Sequence, residues 1–192
     1  MAEDKPFLTR NTRIAYQNPW IKLREDIIVR DNGKEGIYSY LEVKASVCIV
    51  AINQKGDICL IESYRQPFKK WFWELPGGGG DGQNTIKAAQ RELEEEAGIK
   101  AGNWTILGKA RVCNGLSTEY QYNVLATELK YSDHFVQIEA ETRARKFVSL
   151  NELDAMINGG KFEDNQSIAA LYMYKNWLTL QTTHSAKGAK KS

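Results

Sequence analysis

Glu92, Glu95 and Glu96 follow the glycine run Gly77–Gly80 and stand directly after Arg91. On a helix of 3.6 residues per turn, Glu92 and Glu96 lie one turn apart and Glu95 lies beside both. The three carboxylates share an arc of roughly 100°, while Glu94 faces nearly the opposite side. Like charges at these spacings weaken a helix by about a few tenths of a kcal/mol per pair unless something neutralises them. A hard divalent cation such as Mg²⁺, which takes a few carboxylates together with phosphate oxygens, would do so. The competing reading is a solvated acidic face, the usual role of a Glu-rich helical stretch.

The elements that must position these carboxylates can be read on either side of them. Trp71–Leu75 has the character of a buried strand, Pro76 and the four glycines read as a tight loop, and an amphipathic helix is expected from Asn84 or Thr85 to Ala97. Gly98 supplies its stop. Two other phosphate motifs fail here. Gly77, Gly79 and Gly82 satisfy G-x-G-x-x-G, but that pattern is weak in a glycine run, and the helix behind it is acidic. A nucleoside-triphosphate loop needs Gly-Lys-Ser/Thr, whereas Gly82 is followed by Gln83 and Asn84.

Upstream, Thr12–Tyr16, Ile21–Val29 and Ile37–Val43 read as three short strands behind a loose lead-in over residues 1–10, with turn signals at Asn18-Pro19 and Asp31–Lys34. Ala45–Asn53 and Asp57–Tyr64 are dense enough in Val, Ile and Leu to be core strands. Trp104–Val112, Tyr120–Glu128 and Arg143–Val148 complete the strands. A short helix is expected over Leu150–Ile157, capped by Ser149 or Asn151, and a longer one over Asn165–Leu180 with an apolar stripe. Residues 182–192 are polar and read as a disordered tail.

The bulk properties narrow the function. With 192 residues, 42% of them apolar and 26% charged, the chain can bury a core. A net charge of +2 without a basic stripe argues against nucleic-acid binding. No apolar stretch reaches spanning length and no signal-like leader opens the chain, so neither a membrane nor secretion is expected. Cys48, Cys59 and Cys113 are odd in number and lack metal-ligand spacing, which fits reduced thiols in the cytoplasm. With only His134 and His184 present, acid–base work falls to carboxylates.

From Gly77 to Ile99 the spacing is Gly, five residues, Gln83, seven residues, then Arg-Glu-Leu-Glu-Glu-Glu-Ala-Gly-Ile. This resembles the signature box of the Nudix hydrolases, with Gln83 where the box has its first Glu. The runs Glu62–Pro67 and Trp73–Gly77 are similar to those of the ADP-ribose and nucleoside-diphosphate-sugar pyrophosphatase subgroup. The resemblance implies an α/β fold: a Nudix α/β/α sandwich with a mixed sheet, over residues 44–181, plus a small N-terminal antiparallel sheet over residues 1–43. It implies Glu92, Glu95 and Glu96 as ligands of two or more Mg²⁺ or Mn²⁺ ions, with the Gly77 carbonyl assisting and Arg91 bracing the glutamates. Arg65 would contact the substrate's diphosphate, the alternative being an ion pair with Glu62 or Glu74. Glu119, in a loop similar to one that delivers a catalytic carboxylate, becomes the candidate general base or added metal ligand; a solvated loop Glu is the competing reading. Trp20, Tyr38 and Tyr40 are available to stack on a nucleobase or to pack across strands, and the N-terminal sheet would form a homodimer. The implied reaction is hydrolysis of the diphosphate of ADP-ribose or a related nucleoside diphosphate sugar. A GDP-mannose-type substrate, a non-catalytic nucleotide-binding module and a hydrolase of damaged nucleoside triphosphates are the rivals.

Overall fold

A computed structural model describes residues 5–80, 82, 84–131, 137 and 140–188, with side chains as far as Thr183. Gln83, whose substitution in the box bears on Arg91, lies outside the described residues. The chain divides into two compact units, one of residues 1–44 with 111–120 and the other of residues 45–110 with 121–192.

The first unit is an antiparallel sheet of β1 (Phe7–Gln17), β2 (Lys22–Arg30) and β3 (Glu35–Glu42), ordered β1-β2-β3. The expected turns connect them. Asn18 Oδ1 accepts the Trp20 and Ile21 amides at 2.9 and 2.8 Å, and the second turn places Gly33 at φ 76°, a left-handed geometry that favours glycine. Phe7–Arg10, expected as a loose lead-in, is part of β1. β3 also holds the 113–118 loop: the Leu41 amide donates to Leu116 O and the Thr118 amide to Leu41 O.

The second unit layers helices on both faces of sheet. β4 (Ser46–Ala51) pairs in parallel with β9 (Tyr120–Lys130), which is followed by β8 (Lys100–Arg111); the order is β7-β4-β9-β8, with β7 being Gly77–Gly79. A second sheet runs β10 (Thr142–Val148), β5 (Ile58–Arg65), β6 (Lys70–Glu74), and an isolated bridge, Ile52 to Ile58, joins the two. Period-two alternation sends β4 and β5 side chains to opposite faces. Val47, Ile49, Ala51, Cys59 and Ile61 pack with Ala88, Ala89, Leu93 and Ala97 of α1 (Thr85–Ala97). Cys48, Val50, Ile52, Ile58 and Leu60 pack with Leu153 of α2 (Leu150–Asn158) and with Ala170, Leu171 and Tyr174 of α3 (Asn165–Gly188). The expected α/β/α sandwich with a mixed sheet and a small antiparallel sheet is what folds.

Two local expectations change. Gly77–Gly79 was expected as loop but forms a short strand on β4, since backbone pairing needs no side-chain signal. α3 continues past Leu180 to Gly188, across much of the stretch expected as a disordered tail; residues 189–192 lie outside the described residues. Among the described residues no helix is long and apolar enough to cross a membrane. Burial of the Cys48 and Cys59 thiols raises their pKa, for Cys59 to about 12, so both stay protonated and unreactive.

The α1 face depends most on Leu93, which is fully buried among β4, β5 and neighbouring helix residues. Leu93→Ala should therefore lower unfolding stability by about 2–5 kcal/mol, measured by chemical denaturation; a loss below about 1 kcal/mol would show that this face is not packed as described.

Candidate active site

α1 starts where its sequence requires. Asn84 Oδ1 accepts the Ile86 amide at 3.0 Å, and Gly98 in the left-handed region (φ 63°) closes the helix with its N–H on Glu94 O. Small residues on the packed side, Ala88, Ala89 and Ala97, allow the helix close to the sheet. That proximity carries Glu92 and Glu96 inward: they are 6% and 8% exposed, unusual for glutamate.

The glycine strand receives them. The Gly77 amide donates to Glu96 Oε2 at 2.6 Å. A Cβ on Gly78 would stand 2.6 Å from Glu92 Oε2, and one on Gly77 would stand 2.2 Å from Val47 O. At Gly77 the obstacle is backbone and only glycine fits; at Gly78 any larger residue would displace the Glu92 carboxylate. Arg91 bridges the arrangement from outside. Its Nη2 donates to Glu92 Oε1 at 2.6 Å and to Gly79 O at 2.8 Å, and its Nη1 to Glu95 Oε2 at 2.7 Å. Although desolvation pulls its pKa down, the Glu95 hydrogen bond and the charges of both glutamates raise it on balance. Arg91 thus links Glu92 and Glu95 to the glycine strand. The Gly77 contact runs through its N–H, whereas the resemblance assigns its carbonyl.

Among the described residues, no three His, Cys, Asp or Glu side chains are gathered closely enough to enclose an ion. The carboxylates spread along one helix face with Arg91 between two of them. Their chemistry nonetheless suits a hard divalent cation: oxygen donors, two of them buried, in the C-terminal half of a helix with no basic residue in its last turn. Negative charge there opposes the helix dipole, so an added cation would be favourable.

Arg65 makes the ion pair that competed with its substrate role. Its Nε lies 3.0 Å from both Glu74 carboxylate oxygens, and its Nη2 donates to Glu74 Oε2. Glu74 is buried while Arg65 is about half exposed. Burial raises the Glu74 pKa and outweighs the guanidinium, while the Glu74 hydrogen bond raises that of Arg65. Glu62, the other named partner, pairs instead with Arg143 through two contacts of 2.8 Å. A residue that sequence reasoning missed lies nearby. Asp164, at the start of α3, accepts the Ser167 amide at 2.9 Å and its hydroxyl at 2.6 Å, and Ser167 Oγ accepts the Leu75 amide at 2.8 Å. Asp-x-x-Ser before an apolar stripe was the signal available for this cap.

In the first unit, Glu119 is half-buried at the end of the 113–119 loop, with its amide donating to Ser117 Oγ at 3.2 Å. Tyr38 stacks on Phe7 at 6.0 Å, tilts against Tyr40 at 6.4 Å and donates its hydroxyl to Gly115 O at 2.9 Å. Tyr38 and Tyr40 therefore make the strand-packing contacts that competed with base stacking. Trp20 is 80% exposed beside a groove of about 380 Å³ that Lys22, Glu42 and Lys44 also line.

The Arg65–Glu74 pair yields a signed prediction. A carboxylate whose folded pKa is raised adds stability below its unfolded pKa, and that contribution is lost as pH rises through the folded value. Arg65→Ala removes the group holding Glu74 down, so its pKa rises further. The variant should lose about 1–3 kcal/mol near pH 7, discounted because Arg65 is half exposed. This deficit should shrink as pH falls toward the ordinary carboxylate range. Denaturation of wild type and variant across pH 4–8 reads it, and a pH-independent deficit would remove Glu74 as its source.

Comparison with known proteins agrees with this geometry. The NUDIX domain family matches residues 43–171, and the family described as nucleoside diphosphate sugar hydrolase N-terminal domain matches residues 8–41. An ADP-ribose pyrophosphatase of Mycobacterium tuberculosis is 31% identical over 126 residues, covering 65% of this chain and 61% of that protein. The aligned part thus spans about three-fifths of that relative's length. A methanol dehydrogenase activator of Bacillus methanolicus is 26% identical over 76% of this chain and 77% of its own. An ADP-ribose pyrophosphatase of Bacillus subtilis is 28% identical over 59% of this chain and 68% of its own. A crystal structure of an ADP compounds hydrolase superposes with a TM-score of 0.79 at 20% identity, covering 92% of this chain and 96% of that one, which shows the shared fold. With two thirds of its length matched by that domain and the glutamate helix seated against its glycine strand, this chain belongs to the NUDIX family.

Proposed function

We propose that the protein hydrolyses the diphosphate bond of ADP-ribose or a related nucleoside diphosphate sugar, giving a nucleoside monophosphate and a sugar phosphate. The observation that carries this reading is the pair of buried glutamates against the glycine strand, Glu96 held by the Gly77 amide and Glu92 bridged to Gly79 by Arg91. Support for the substrate class comes from the N-terminal match to nucleoside diphosphate sugar hydrolases and from relatives named ADP-ribose pyrophosphatase. The same match keeps a GDP-mannose-type sugar nucleotide as the second reading.

Glu92, Glu95 and Glu96, with the Gly77 carbonyl, would hold two or more Mg²⁺ or Mn²⁺ ions. Such ions neutralise phosphate oxygens and lower the pKa of an attacking water. Arg91 keeps Glu92 and Glu95 oriented, a supporting contact of the kind that tunes metal sites. Arg65 would orient the diphosphate, with Glu74 fixing its guanidinium. Glu119 as general base or added ligand, and Trp20, Tyr38 and Tyr40 as base contacts, rest on the resemblance of their segments.

We further propose a homodimer built on the N-terminal sheet. All of β1 after Phe7 is exposed, and Leu8, Ile14, Tyr16 and Ile37 present large apolar side chains to solvent. A second copy of this sheet would cover such a surface. Free Cys48, Cys59 and Cys113 suit a cytoplasmic protein.

A panel of ADP-ribose, GDP-mannose, UDP-glucose, ADP-glucose and 8-oxo-dGTP, assayed with Mg²⁺ and with EDTA, tests the reaction. Cleavage of one diphosphate sugar that EDTA abolishes is expected. No turnover together with a raised melting temperature on adding ADP-ribose or GDP-mannose would identify a binding module instead. Glu96→Gln should lower kcat by orders of magnitude with an unchanged circular dichroism spectrum, and a near-wild-type rate would remove the metal role of Glu96. Light scattering should give twice the chain mass, falling to the chain mass for Ile14→Lys with Ile37→Lys; a monomeric wild type would end the dimer proposal.

A further inference from the structure

Beside the Arg65–Glu74 pair lies an open groove of about 640 Å³, walled by Phe68 and Phe72 from the β5–β6 hairpin and by Glu163 and Asp164 before α3, with Lys70 at its edge. It lies wholly within the second unit. Phe68 is 68% exposed, although it and Phe72 meet edge to face at 5.6 Å and 73°. A solvent-facing aromatic at a groove wall offers a stacking surface that the fold itself does not use.

The lining selects among ligand parts. Glu163 and Asp164 carry only acceptor oxygens when ionised, so they repel phosphate and suit a group rich in O–H donors. The edge-to-face pair offers one open aromatic face, on which either a base or a sugar ring could lie, so the carboxylates decide between them. A purine could give such carboxylates only its fixed amino edge, its ring acceptors being repelled, whereas each sugar hydroxyl can rotate to donate. A sugar matches all of this: its C–H face lies on one ring while vicinal hydroxyls donate to the carboxylates. Arg65 ties the groove to buried Glu74, and the charge of Glu96 also reaches its guanidinium. It lines the groove, uses its Nε and Nη2 on Glu74, and makes no contact through Nη1 among the described residues.

We infer that the Phe68–Glu163 groove is the subsite for the sugar end of the nucleoside diphosphate sugar, with Phe68 stacking on the ring and Glu163 and Asp164 accepting its hydroxyls. This rests on the proposed function only in placing the diphosphate at Arg65. Specificity for the sugar is then set on the β5–β6 hairpin and the approach to α3.

Isothermal titration with ADP-ribose against ADP, and with GDP-mannose against GDP, tests the subsite without relying on turnover when EDTA is present. Phe68→Ala and Glu163→Gln both alter exposed side chains, and melting curves confirm that each variant folds. The wild type should bind the better sugar nucleotide more tightly than its diphosphate, and each variant should lose roughly fivefold or more of that advantage while binding the diphosphate unchanged. Equal weakening of both ligands would place the base or phosphates in the groove and overturn the inference. So would a sugar advantage that survives both substitutions, or a wild type that shows none. Hydrolysis by the wild type with an unaltered advantage in the variants would overturn the subsite alone. A sugar advantage lost in the variants, in a wild type that cleaves nothing with Mg²⁺, would retain the subsite and overturn the hydrolase reading.

Discussion

The site depends on a backbone approach that no side chain larger than hydrogen permits. At Gly77 a Cβ would strike the Val47 carbonyl, and at Gly78 it would strike the Glu92 carboxylate. Because both positions are glycine, β7 can pair with β4 while the glutamate face of α1 closes on it. The packed side of α1 has the matching property, since Ala88 and Ala89 flank Glu92 and Glu96 on one arc and, with Ala97, bring the helix axis close to the sheet. Glu92 and Glu96 are buried because both partners are cut back, and the Gly77 amide and Arg91 then replace part of the water they lose. A bulkier strand would leave the same glutamates in solvent.

Burial of this kind opposes the helix that carries it. Four glutamates occupy the C-terminal half of α1, where the dipole favours cations, and the last turn contains no basic residue. The compensation comes from within α1, from just beyond it and from β10: Arg91 serves Glu92 and Glu95, Lys100 pairs with Glu94 at 2.9 Å, and Arg145 Nη1 donates to the Ala97 carbonyl at 2.6 Å. A helix stabilised only for folding would carry lysines where these glutamates stand. A local cost offset by neighbouring side chains is the pattern expected where selection acts on the site.

What was legible in the sequence was whatever side-chain pattern controls. Asn84 and Gly98 bound α1, Ser149 caps α2, and the alternation of β4 and β5 defines two buried faces and hence helices on both sides. The segments that differed lack such a pattern. Gly77–Gly79 pairs through backbone alone, Leu8–Arg10 is exposed along a sheet with no alternation to read, and α3 beyond Leu180 has no apolar stripe. At the site, local spacing placed the three glutamates and Arg91. It could not choose between Glu62 and Glu74 as the partner of Arg65, because hairpin register and Arg143 decide that. Asp164 was hidden for the same reason: it lies 99 positions from Arg65 in sequence, and only the packing of α3 brings both to one groove.

Arg65 both lines the groove and pairs with buried Glu74, and its chemistry explains why arginine serves there. Glu74 is buried and needs a cationic partner, yet a lysine placed there would commit its compact charge to that carboxylate. The planar guanidinium can engage Glu74 along its Nε–Nη2 edge and still present Nη1. Fixing one edge also removes rotational freedom from the other, so under the proposed function a phosphate at Arg65 would meet a pre-oriented donor at a smaller ordering cost. Glu74 is thereby more than a charge partner. Its cost of burial is the cost of holding Arg65 still, and it is lowest when the hairpin strands β5 and β6 keep both residues in register.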